Sequence, residues 1–92
     1  MATVSLYLPS LLTSLLKVPK SSTISGSTLE DALADLCNMS PALGIHLFDE
    51  SGAFREHVLC FVNETNSRDI DASKHVLRDG DVITILQAVS GG

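Results

Sequence analysis

The chain has 92 residues, enough for one small domain and too few for two cores or a deep enclosed active site. Six Lys and Arg against eleven Asp and Glu leave a net charge of −5, which argues against binding a phosphate backbone through clustered cations. A hydrophobic fraction of 45% with 18% charge marks a globular chain, and 4% aromatic residues make its core aliphatic.

Val4-Ser5-Leu6-Tyr7-Leu8 alternates with period two and reads as a strand ended by Pro9. Residues 10–22 fit either a turn of helix or a loop. A second short strand follows near Ser22–Ser25, broken at Gly26. Ser27-Thr28-Leu29-Glu30 has the form of a capping box, with Ser27 as the cap. Leu29, Ala32, Leu33, Leu36 and Cys37 then fall on one stripe of an amphipathic helix, which Pro41 stops. Gly44–Phe48 reads as a strand or extended segment and Asp49–Gly52 as a turn. Glu56–Val62 is a strand, Asn63–Asp69 a polar loop with hairpin chemistry, and Val82–Leu86 the final strand. Before that last strand, Arg78-Asp79-Gly80-Asp81 is a tight turn in which Gly80 is free to take positive φ. The order is strand, strand, helix, then strands: an α+β sheet with one main helix packed across one face.

Several function classes find no support. The longest apolar run, around Val82–Leu86, is far short of the ~20 residues of a membrane span. No basic region precedes an apolar run at the N-terminus, so no secretory signal is expected. Neither GxGxxG nor a Walker pattern occurs. His46, His57 and His75 lack metal-ligand spacing with Cys or acids. Cys37 and Cys60 sit among apolar residues and are expected to be reduced core thiols, with a disulfide or a reactive thiol as the alternatives. No nucleophile–base pair is visible, so an independent enzyme is not expected.

Two strands are apolar on both faces. Val58, Cys60 and Val62 alternate with Leu59 and Phe61; Ile83 and Ile85 alternate with Val82, Thr84 and Leu86. One helix covers one face of a sheet, which leaves Leu59, Phe61 and Leu86 as a partner surface. The alternatives are that segment 9–22 or 63–78 folds over them, or that the two faces are assigned the other way round. The sequence then closes on Ala88-Val89-Ser90-Gly91-Gly92, and a folded domain gains nothing from two terminal glycines.

The order of elements, the Asp79-Gly80-Asp81 turn, the strand Val82-Ile83-Thr84-Ile85-Leu86 and the closing Val89-Ser90-Gly91-Gly92 together resemble the ubiquitin-like β-grasp sulfur carriers. That family includes the carriers for thiamine and cysteine biosynthesis and the small subunit of molybdopterin synthase. The segment Leu47-Phe48-Asp49 to Phe61-Val62-Asn63 looks most like the cysteine branch, whereas Gln87-Ala88 stands where many relatives have prolines.

The resemblance implies a β-grasp domain over residues 1–87, with a mixed sheet of four to five strands, and a flexible tail over 88–92. It also implies a carrier and not a catalyst. An E1-like adenylating enzyme would use ATP, the carrier itself binding no cofactor, to activate the Gly92 carboxylate. Sulfur would displace AMP and leave a thiocarboxylate. A sulfur-accepting biosynthetic enzyme, of which a pyridoxal-phosphate-dependent cysteine synthase is one type, would take the sulfur. Val89, Ser90 and Gly91 would thread the partner's channel while Leu59, Phe61 and Leu86 supply affinity. The acidic surface would favour a basic rim on that partner. Neither nucleic acid nor membrane is implied, and the location expected is cytoplasmic. A molybdopterin synthase subunit, a ubiquitin-like modifier of lysines and a β-grasp module without tail chemistry remain as alternatives.

Overall fold

The computed structural model describes residues 1–87. Its five-stranded mixed sheet has the order β2-β1-β5-β3-β4. β1 (Ala2–Tyr7) pairs antiparallel with β2 (Ser21–Gly26) and parallel with β5 (Val82–Gln87), and β5 pairs antiparallel with β3 (Val58–Val62). This is the β-grasp arrangement, with the last strand at the centre of the sheet. β1 begins two residues earlier than its alternation suggests: Ala2, Val4 and Leu6 are buried, while Thr3 and Tyr7 face out. Leu8 lies beyond the strand, buried, and donates its N–H to the Lys20 carbonyl.

The ambiguous segment after Pro9 is helical. α1 (Ser10–Leu16) starts from Pro9, whose carbonyl accepts from the Leu12 and Thr13 N–H groups, and ends at Lys17 in the left-handed region. Leu12 enters the core, so two turns suffice to close the end of the sheet.

α2 (Leu29–Met39) is the main helix, and Leu29, Ala32, Leu33 and Leu36 form its buried stripe. Its cap is Thr28 and not Ser27: the Thr28 hydroxyl accepts from the Asp31 N–H. The Ser-x-x-Glu pattern is therefore displaced by one residue, because Thr28, in extended geometry, is the residue that bridges to Val76. Gly26 allows α2 to lie close on β2. A Cβ there would come within 2.8 Å of the Ala32 Cα and closer still to its nitrogen.

Gly44–Phe48 corrects a second expectation. It is not a strand; Pro41–Leu47 is a helix, α3. Ser40 accepts from the Leu43 N–H, Pro41 takes the first turn, and Leu43 and Leu47 are buried four residues apart. Pro41 thus ends one helix and opens the next, as a residue without an N–H is suited to do. Phe48 and Phe54 pack with ring centroids 4.5 Å apart and close the loop that follows.

β3 begins at Val58, later than Glu56, and turns through Asn63-Glu64 into the short β4 (Thr65–Asn66). Asn63 takes φ +56° at that turn, which Asn tolerates better than most residues. A 3-10 turn over Ser67–Asp69 leads back towards α2.

Candidate partner surface and tail root

The Asp79-Gly80-Asp81 turn lies where the chain enters β5, and it fastens three strands together. Gly80 takes φ +92°, as its sequence position suggests. The Asp79 carboxylate accepts from the Thr3 N–H at 2.8 Å, and the Gly80 N–H donates to the Thr3 carbonyl. The Asp81 carbonyl accepts from the Ser5 N–H, so the turn holds β1 at two residues, Thr3 and Ser5. On the other side, Asn63 donates its side-chain amide to the Asp81 carboxylate and accepts from the Val82 N–H. Its own N–H donates to the Val82 carbonyl at 2.7 Å. A further bond from the Arg78 N–H to Asp81, with that from Asn63, holds the Asp81 carboxyl below the usual carboxylate range. The register of β5 against β1 and β3 is therefore fixed at its first residue.

β5 carries that register to Gln87, which pairs with Val58. Leu59 stands opposite Leu86 and Phe61 opposite Thr84, with Tyr7 on the far side of Thr84. These side chains alternate with Cys60, Val62, Ile83 and Ile85, which are buried beneath α2 and α3 in a single core. Among the described residues, no helix lies over the Leu59–Leu86 side. Leu86 is 44% exposed and Tyr7 45%, while Leu59 and Phe61 are half-buried by their strand neighbours. The three residues expected to meet a partner thus share one face, with Leu59 and Leu86 next to the end from which the chain leaves β5 and Phe61 nearer its middle. The β2 half of that face carries Ser21, Thr23 and Ser25 instead, so its apolar character is one-sided. Gly92, with Val89, Ser90 and Gly91, lies outside the described residues.

The charges are unevenly placed over the acidic surface. Asp79, Asp81 and Glu64 gather at the start of β5, away from the tail root. At the other end, the Arg68 guanidinium donates to the carbonyls of Glu56 and of Val58, the residue paired with Gln87.

Burial lowers the reactivity of both cysteines. Cys60 is 1% exposed in the core, and burial pushes its thiol up to about 11. Cys37 lies half-buried against Gly44, and burial raises its pKa also. Both are unpaired. Among the described residues, no three His, Cys, Asp or Glu side chains gather to hold a metal, and no helix is long and apolar enough to cross a membrane.

The fold and the uncovered face define a ubiquitin-like protein. The sequence model of the ThiS family matches residues 16–92, and the chain belongs to that family of small sulfur carriers, which are not themselves enzymes and work with partner enzymes. The chain is similar to small archaeal modifier protein 1 from Methanosarcina acetivorans, at 28% identity and a TM-score of 0.81, over 100% of this chain and 98% of that one. It is similar to CysO from Mycobacterium tuberculosis at 31% identity and a TM-score of 0.80, over 94% of this chain and 99% of that one. A chain of the BexX/CysO complex from Amycolatopsis orientalis is 26% identical with a TM-score of 0.81, over 97% of this chain and 99% of that one. No curated protein matches the chain in sequence.

Proposed function

We propose that the chain carries sulfur as a thiocarboxylate on Gly92. The reading rests above all on one placement: β5 is locked between β1 and β3 and ends at Gln87, five residues before Gly92, beside the uncovered Leu59–Leu86 pair. A carboxylate is resonance-stabilised and a poor electrophile, so it needs a leaving group. A Gly92 carboxylate oxygen attacks the α-phosphorus of ATP in an E1-like enzyme, pyrophosphate leaves, and an acyl-adenylate forms. A sulfide-level nucleophile then attacks the carbonyl carbon and expels AMP. Two glycines add no Cβ, so the tail fits a narrow channel. The high pKa of Cys60 and the raised one of Cys37 argue against persulfide storage on either thiol.

The CysO likeness favours a cysteine-forming acceptor, such as a pyridoxal-phosphate-dependent synthase, in the cytoplasm where ATP is at hand. The likeness to an archaeal modifier supports a second reading, in which the same adenylate goes on to an isopeptide bond with a lysine. Both need Gly92. Deleting Gly92 should abolish ATP–pyrophosphate exchange by the organism's E1-like enzyme while leaving the melting temperature unchanged. Exchange that persists without Gly92 would sink both readings. If Gly92 is required, recovery of the chain only as a branch on lysines would favour the modifier.

A further inference from the structure

We propose that the outward face of α1, carried by Leu11 and Leu15, is a second docking edge for the adenylating enzyme that takes the tail. The inference rests on the carrier function above and extends the contact beyond the open sheet face. Leu12 anchors α1 in the core, so Leu11 and Leu15 are turned outward, 64% and 60% exposed. Every residue of α1 itself is uncharged, and the cation nearest in sequence is the exposed Lys17 that caps its C-terminal end.

Topology fixes where the edge lies. β1 runs parallel to β5, with Tyr7 beside Thr84, so the chain leaves both strands at the same end of the sheet. After β1 it passes through Leu8 and Pro9 into α1; after β5 it passes into residue 88. α1 also touches α3, where Ile45 is a further exposed apolar side chain. Tyr7 and Leu86 on the sheet and Leu11 and Leu15 on α1 are therefore exposed apolar side chains at the same end of the molecule.

Chain length identifies the occupant. The five residues from Ala88 to Gly92 span at most about 18 Å when fully extended. An enzyme that holds Gly92 at a nucleotide's α-phosphate must therefore lie against the end of the molecule that surrounds Gln87. That is the end where α1 sits. Threading five residues into a channel costs conformational entropy, and burial of the leucines offsets that cost.

The test is ATP–pyrophosphate exchange by the organism's E1-like enzyme, titrated with carrier. Leu11→Asp combined with Leu15→Asp should raise the KM for carrier at least tenfold with kcat within about twofold, because the tail chemistry is untouched. Val76→Asp, at a residue 68% exposed beside α2's start, should leave both constants unchanged. The milder pair Leu11→Ser and Leu15→Ser, if the acidic pair fails to fold, should raise the KM in the same direction. A KM within twofold of wild type for a folded double variant overturns the inference. So does loss of a self-associated form with an unchanged KM, since the edge then belongs to a second copy of this chain. Absence of exchange with wild-type carrier overturns the carrier function itself, and the docking edge with it.

Discussion

Leu59 and Leu86 face each other across β3 and β5 on the uncovered side of the sheet, the last apolar cross-strand pair before the tail. Such a pair stabilises the sheet only modestly, by roughly 0.2–1 kcal/mol relative to alanines. Its exposure is better explained by a partner. Leu59→Asp and Phe61→Asp should each weaken binding to the adenylating enzyme at least tenfold, read by titration calorimetry. Each should lower stability by only about 1 kcal/mol, a fall of about 4–8 °C in Tm for a domain of this size. A much larger fall for Phe61→Asp would place Phe61 in the core and remove it from the partner surface.

Asp81 is a second point of control, at the opposite end of β5. Its carboxylate collects bonds from Arg78 and Asn63, so Asp81→Asn should cost about 1 kcal/mol at neutral pH. Because the folded carboxyl titrates below its unfolded value of about 3.9, its contribution is present above that pH and is lost as pH falls through the lower folded value. Urea unfolding across pH should therefore show wild type and Asp81→Asn converging in acid. A constant gap down to the acid limit would assign the effect to something other than the charge.

Gly26 answers to backbone proximity. The notional Cβ meets the Ala32 backbone, which belongs to α2 and has no flexible end to swing aside. Gly26→Ala should cost about 3 kcal/mol by forcing α2 off β2, measurable as a denaturant midpoint shift at constant m-value. A neutral outcome would mean that α2 shifts on the sheet at little cost.

The thiols should be silent in the folded state. Iodoacetamide near pH 7.5 should leave Cys60 unmodified until denaturant is added and label Cys37 only slowly. Since the fold keeps Cys60 protonated well above the ordinary thiol range, stability should decline as pH rises past about 8.5. Rapid native labelling of Cys60 would reopen a thiol route for the sulfur.

β1, β3, β5 and the main helix were legible in the sequence because each has an unmixed period, whereas β4, two polar residues inside the segment read as a loop, was not. The alternation of Val58–Val62 and Ile83–Ile85 translates directly into two faces. The tight turn at Gly80 was equally plain, but its purpose was not: bonds to Thr3, Ser5 and Asn63 join residues distant in the chain. α3 was missed because Gly44 and Ile45 are weak helix formers, and Gly44 is needed to approach the Cys37 side chain. The Ser40-Pro41 pair is a helix-start signal that a stop reading of Pro41 hides. α1 stayed ambiguous because seven residues give too little periodicity, and only packing of Leu12 decides it.

The central claim concerns the atom that holds the sulfur. Intact mass of the carrier, after incubation with the organism's E1-like enzyme, ATP and sulfide, measures it directly. The account predicts a gain equal to one oxygen replaced by sulfur, mapped by fragmentation to Gly92 and absent when Gly92 is deleted. A sulfur atom gained on Cys37 or Cys60 with Gly92 unchanged would contradict it.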